Sequence, residues 1–110
     1  MSASEEISRL IEESRALERG GRIPAAIHRA VRARQLAQAG NDTESEATAL
    51  NALAYAHIRL GHYPQAVAFS QEALVLASPE SQARAEALLN INICASETND
   101  LDMGEKYLLQ

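Results

Sequence analysis

Apolar residues recur at helical spacing along the chain and divide it into segments separated by short turns. In the first segment, residues 4–18, Ile7, Leu10, Ile11 and Leu17 share one face. The same periodicity predicts further helices over 23–39, 43–60, 64–77 and 79–98, and a sixth from residue 101 onward. The pattern therefore predicts an all-α fold of about six antiparallel helices.

Capping and stop residues delimit these segments. Proline suits the first turn of a helix, as at Pro24 and Pro64, because the N–H that it lacks would be unpaired there. Ser2 or Ser4 is expected to cap the first helix, Thr43 and Glu46 to form a capping box on the third, and Ser78-Pro79-Glu80 to start the fifth. The predicted stops are Gly20-Gly21, Gly40 and Gly61.

The stretch 47–79 has the clearest pattern, with small residues alternating with large apolar ones along two consecutive helices. Ala54, Ala66 and Ala73 would let the two backbones approach closely while leucines fill the space between them. A hairpin of this kind cannot bury its apolar face alone and needs similar hairpins as neighbours.

The turns recur at a regular interval. GRIPAAI (21–27) matches GHYPQAV (61–67) 40 residues later, and NDLDMGE (99–105) follows after another 38 residues. With Leu50, the Leu53-Ala54 pair and the small Ala66 and Ala73, this pattern resembles the tetratricopeptide repeat in a lengthened form. The resemblance implies one domain, 1–110, folded as a right-handed superhelical α-solenoid of three hairpins: about 4–40, 43–78 and an incomplete 79–110. Glu13 stands where the pattern has a core leucine, which indicates a solvent-facing first hairpin.

In this family the inner helices line a concave groove that holds a peptide or partner helix. The resemblance therefore implies a protein–protein interaction module, in which Tyr55 supplies contact area, Asn51 and Asn90 bond to a peptide backbone, and arginines pair with carboxylates. The lysines of the clamp that some members use for a C-terminal carboxylate are absent, so that ligand is not expected. An exposed amphipathic face with nothing bound is the alternative. The full predicted groove comprises Ile11, Arg15, Arg19, Thr48, Asn51, Tyr55, Arg59, Glu86, Leu89, Asn90, Ile93 and Glu97.

The sixth predicted helix ends without a polar cap. Its apolar side chains would then be exposed to solvent at Leu101, Tyr107, Leu108 and Leu109. We expect the chain to be the N-terminal part of a longer signalling or regulatory protein, or to form a homo-oligomer through this end. The second functional hypothesis follows from this: a structural segment that packs on itself or on a downstream domain, without a separate ligand.

Composition and charge narrow the class of partner. The 110 residues include 21 alanines, three tyrosines, one phenylalanine and no tryptophan, which indicates an aliphatic, alanine-based core. The net charge of −5 disfavours nucleic acid as a partner, although residues 1–40 carry seven arginines against five acidic residues. The basic cluster is either a solvated, ion-paired surface or a site for an acidic partner; its members are Arg22, Arg29, Arg32 and Arg34, with His28.

Candidate chemistry is sparse. The single cysteine, Cys94, excludes an internal disulfide and a cysteine-based zinc site, and it fits a reducing compartment. His28, His57 and His62 do not have metal-ligand spacing, and no catalytic triad order or glycine-rich phosphate loop is present. No apolar run approaches the roughly 20 residues of a membrane span, and the acidic N-terminus is unlike a secretory signal. We therefore expect a cytoplasmic binding protein, neither an enzyme nor a membrane protein, without a metal or cofactor.

Overall fold

The computed structural model describes residues 2–98, which form five α-helices and no strand. The helices are α1 (Ala3–Arg19), α2 (Ile23–Ala39), α3 (Thr43–Arg59), α4 (Tyr63–Leu76) and α5 (Gln82–Thr98). The all-α prediction is thus confirmed for this part of the chain. The predicted sixth helix and its apolar residues Leu101, Tyr107, Leu108 and Leu109 lie outside the described residues.

Three tight turns with a shared geometry reverse the chain after α1, α2 and α3. Each contains a residue with positive φ: Gly21 at 80°, Asn41 at 56° and Gly61 at 75°. In each turn the next backbone N–H returns to a carbonyl in the last turn of the helix, as Arg22 does to Leu17 at 2.8 Å. This bond ends the helix and satisfies a carbonyl that would otherwise be unpaired. The predicted stops at Gly21 and Gly61 are confirmed.

The helix starts were predicted less well. Ser2 caps α1 as expected, since its Oγ accepts from the Glu5 N–H at 3.1 Å. The prediction of a capping box on α3 is wrong. Asp42 is the N-cap residue, and its Oδ1 accepts from the Ser45 N–H at 3.1 Å. Glu46 is buried beside Arg34.

The start of α5 also differs from the prediction. The helix begins at Gln82, because Ser81 Oγ accepts from the Arg84 N–H at 3.2 Å. Residues 78–81 form the preceding turn, in which the Ser81 hydroxyl donates to the Ser78 carbonyl at 2.9 Å. The Ser78 N–H donates to the Glu44 carboxylate, which ties this turn to the start of α3.

The helices pack in two layers around α3. Helices α1, α3 and α5 lie side by side in the inner layer, and α2 and α4 cover the opposite side, so that α3 contacts all four other described helices. Alanines make this close packing possible: Ala54, Ala66 and Ala73 are fully buried, as predicted, and so is a stripe along α2 at Ala26, Ala30, Ala33 and Ala37. Leu50, Leu53 and Ile91 are the largest fully buried side chains of residues 2–98, so the core there is aliphatic.

Candidate functional site

An open cavity of about 320 Å³ lies between α1, α3 and α5. We call it the inner groove. Seven of the twelve predicted residues line it: Arg15, Arg19, Tyr55, Glu86, Leu89, Asn90 and Ile93. Thr48 lines an adjoining cavity of about 400 Å³, which shares Arg15 and Glu86 with the first. The sequence therefore placed most of the candidate residues on one connected surface.

The apolar part of the inner groove is supplied by α3 and α5. Leu89 is 57% exposed and lies in the concave cavity between the three helices. Tyr55 and Ile93 line the same cavity and are each half-buried. Together these three side chains present a small apolar surface to solvent, and such surfaces in concave sites are where ligands bind.

Ion pairs within the chain occupy two of the three arginines that were predicted to line the groove. Arg15 on α1 makes a two-pronged contact with Glu86 on α5, at 2.8 Å and 3.0 Å. Arg59 on α3 donates to Glu18 on α1 at 2.7 Å. Both arginines were predicted to meet a partner's carboxylate, but they already have a carboxylate from their own chain. Arg19 is exposed and has no ion pair within the part that the structure describes.

Asn51 and Asn90 lie between helices rather than on an open face. Asn51 is fully buried, and its Nδ2 donates to the Ala83 carbonyl of α5 at 2.8 Å. Asn90, although at the groove wall, is 2% exposed, and its Nδ2 lies 3.4 Å from the Asn51 carbonyl. Among residues 2–98, the buried Asn51 Oδ1 has no hydrogen-bond partner. The predicted contact of Asn51 with a peptide backbone is therefore not available in this structure.

The other predicted residues fall outside the two cavities. Ile11 is buried with Ile7 and Leu10 in the core between α1 and its neighbours. Glu97 is exposed near the end of α5. Arg59 reaches the groove only through Glu18.

Sequence reasoning missed three residues that line the inner groove: Ser14, Glu18 and Ala52. Ser14 and Glu18 form a row of their own on α1, beside the predicted row of Ile11, Arg15 and Arg19. Spacing by four identifies a row on a helix but not which row faces the neighbouring helix. Ser14 also holds the first hairpin together, because its buried hydroxyl donates to the Ala26 carbonyl at 2.7 Å.

Two histidines meet where α3 turns into α4. The Nδ1 atoms of His57 and His62 lie 3.4 Å apart, and the His57 ring packs on Phe69 with 5.4 Å between ring centroids. Burial, and secondarily the nearby His62, lowers the pKa of His57 below its ordinary value. The pair lacks a third potential ligand, since no group of three metal-binding side chains occurs among residues 2–98.

Cys94 is fully buried with Ala54 and Ala66. Burial raises the pKa of its thiol, which favours the unreactive protonated form. It packs as a small apolar residue in this cluster.

None of the five helices is long and apolar enough to cross a membrane. Comparisons of the chain with models of protein families, with curated proteins and with solved structures found no match.

Proposed function

We propose that this chain is a protein–protein interaction module that binds a peptide or a segment of a partner protein in the inner groove. The observation that carries the proposal is the exposed Leu89, which lies with Tyr55 and Ile93 in a concave cavity between three helices. An apolar side chain of the partner would cover Leu89 and remove that surface from water.

The arrangement of helices supports a tetratricopeptide-like scaffold. The turns at Gly21 and Gly61 have the same backbone geometry, 40 residues apart, and each follows an inner-layer helix. Helices α2 and α4 share no close backbone contact in the described part, whereas the inner helices touch in succession. Hairpins that stack more tightly on one side than on the other curve toward that side. We propose that this curvature continues as a right-handed superhelix with the groove on its concave face.

The groove charges favour a partner with an apolar anchor over a strongly charged one. Because Arg15 and Arg59 are paired with Glu86 and Glu18, a partner's carboxylate would have to displace an existing ion pair. Among the described residues that line the groove, Arg19 is the cation that remains for it. The proposal places the module in the cytoplasm, where the free thiol of Cys94 is stable.

A matched pair of variants tests the groove. Random peptides displayed on phage are selected on the wild-type protein, and the enriched peptides are synthesised with a fluorescent label. Their affinities are then measured by fluorescence anisotropy for wild type, Leu89→Asp and Val75→Asp. Val75 is the control because it is 86% exposed on α4, in the outer layer.

We expect Val75→Asp to bind as wild type does and Leu89→Asp to bind at least about tenfold more weakly, a loss of about 1.4 kcal/mol. Circular dichroism must show the same helicity for all three proteins. Equal affinity of the two variants, or no peptide enriched over the blank support, would contradict the proposal.

A further inference from the structure

A second surface lies along the first hairpin, and it has no lining residue in common with the inner groove. Two adjoining cavities of about 300 Å³ and 250 Å³ share Glu13 and Arg29 and are lined only by α1, α2 and the turn between them. We call this surface the outer furrow. Its charged residues and its histidine are Arg9, Glu13, Arg22, His28, Arg29 and Arg32.

The outer furrow is basic although the chain is acidic. Its described lining residues carry four guanidinium groups and one histidine against a single carboxylate, in a chain of net charge −5. Arg34, the fourth arginine of the basic cluster, points elsewhere, since its Nε lies 3.7 Å from the Glu46 carboxylate and its Nη2 lies 3.4 Å from that of Glu72. The remaining arginines of α2 thus gather with Arg9 on one surface.

Glu13 orders part of this surface without neutralising it. Its carboxylate lies 2.9 Å from Arg9 Nη1 and 3.6 Å from Arg29 Nε, and Glu6, outside the furrow, lies 4.0 Å from Arg9 Nη2. A guanidinium has five N–H donors, so both arginines keep donors for a further anion. Arg22 and Arg32 are exposed and have no ion pair within residues 2–98. A ligand would therefore meet two arginines that are already positioned, which reduces the entropy lost on binding, and two that are free.

An apolar patch adjoins the cations. Ala16 and Leu17 line the same cavity as Arg22 and Arg29, and Leu17 is half-buried. A ligand that fits both features has carboxylates on either side of an apolar side chain. Residues 41–98 carry seven acidic residues against two arginines, so a long polyanion that extended past the furrow would meet repulsion. Charge complementarity thus favours a short acidic segment over nucleic acid.

We propose that the outer furrow docks a short acidic segment of a partner protein, with Asp or Glu residues around an apolar side chain. Guanidinium groups pair with carboxylates through strong, charge-assisted hydrogen bonds. The site is independent of the inner groove and does not rest on the function proposed for it.

The test uses three labelled probes: a synthetic peptide of Asp and Glu around a central Leu, the same peptide with Asn and Gln, and an oligothymidylate of similar length. Affinities are measured by fluorescence anisotropy for wild type, for Arg22→Gln with Arg32→Gln, and for Arg19→Gln with Arg84→Gln. The second pair removes the same charge outside the furrow. All four arginines lack ion pairs in the described part, so both proteins should fold, which circular dichroism checks.

We expect the acidic peptide to bind wild type. Its affinity should fall at least about tenfold for Arg22→Gln with Arg32→Gln, and less than about threefold for Arg19→Gln with Arg84→Gln. Raising NaCl from about 50 to about 200 mM should weaken the binding. Leu89→Asp should leave it unchanged, which separates this proposal from the first.

Three results would overturn the proposal. The first is that the amide peptide binds as tightly as the acidic one. The second is that both double variants lose the same affinity, which would show an effect of net charge alone. The third is that oligothymidylate binds at least as tightly as the acidic peptide, which would make nucleic acid the ligand.

Discussion

Buried polar side chains connect the helices of this alanine-rich core. Ser14 bonds α1 to α2, and Asn51 bonds α3 to α5, each through a side chain that is almost wholly buried. Alanine surfaces are smooth and would allow neighbouring helices to slide past one another. A buried hydrogen bond is lost if they do, because the separated donor and acceptor are then left unpaired. These side chains therefore set the register that small apolar residues leave open.

His57 makes stability depend on pH. Its ring is held between His62 and Phe69, and burial lowers its pKa below the ordinary value of 6.5. The unfolded chain then binds a proton at a higher pH than the folded one does. The contribution to stability is present above pH 6.5 and is lost as the pH falls through that value toward the lowered pKa.

We expect His57→Gln to reduce the loss of stability between about pH 8 and about pH 5. The measurement is urea unfolding across that range, followed by circular dichroism. Carboxylates also titrate as the pH falls, so the comparison that matters is between variant and wild type. The same dependence of stability on pH for variant and wild type would exclude this role for His57.

The turns between helices depend on backbone conformation more than on side-chain contacts. A Cβ at Gly61 would touch nothing within 4 Å, yet the φ of 75° is one that residues with a side chain adopt at a cost. Gly40, which also ends a helix, has φ −92°, and a Cβ there would lie 3.5 Å from the Leu36 carbonyl oxygen, an ordinary contact. The two glycines therefore test conformation with little change in packing.

Gly61→Ala is expected to lower the free energy of unfolding by about 1–2 kcal/mol, the cost of a left-handed residue with a side chain. Gly40→Ala should be neutral or stabilise by up to about 1 kcal/mol, since alanine restricts the unfolded chain. Urea unfolding gives both values. If the two variants lost equal stability, the sign of φ would not be what requires glycine at 61.

The helices were predictable from the sequence because apolar periodicity, and glycines that adopt a positive φ at the turns, are properties of neighbouring residues. The cap of α3 was not, since Asp42 and the adjacent Thr43 are both good capping residues and only the turn geometry selects between them. The Arg15–Glu86 pair joins residues 71 positions apart, and nothing local in the sequence indicates it. Asn51 was predicted to lie on an open face. Periodicity gives the spacing of a row of residues on α3, but it does not show whether that row faces solvent or α5.

At the scale of the whole molecule, α3 is the element on which the others depend. It packs against every other described helix, and nine of its residues are buried. The outer helix α4 buries three residues. Opening α3 to solvent requires both layers to separate, whereas α4 can loosen while the inner layer stays packed.

Hydrogen exchange measured by mass spectrometry should therefore show the slowest exchange in peptides from 43–59 and faster exchange in peptides from 63–76. The difference follows from the number of helices that must move before each amide is exposed. Gly61→Ala offers an internal check, because a strained turn should speed exchange in the second segment more than in the first. Equal protection of the two segments would show that the chain opens only as a single unit.

The ion pairs at the inner groove also bear on how fast a partner can bind. Arg15–Glu86 and Arg59–Glu18 present little net field to an approaching molecule, so charge steers encounters there only weakly, through Arg19. Association should then proceed at about 10⁵–10⁶ M⁻¹s⁻¹, with little dependence on ionic strength. Differences among partners would lie in how long each remains bound, which is governed by how well an apolar side chain covers Leu89.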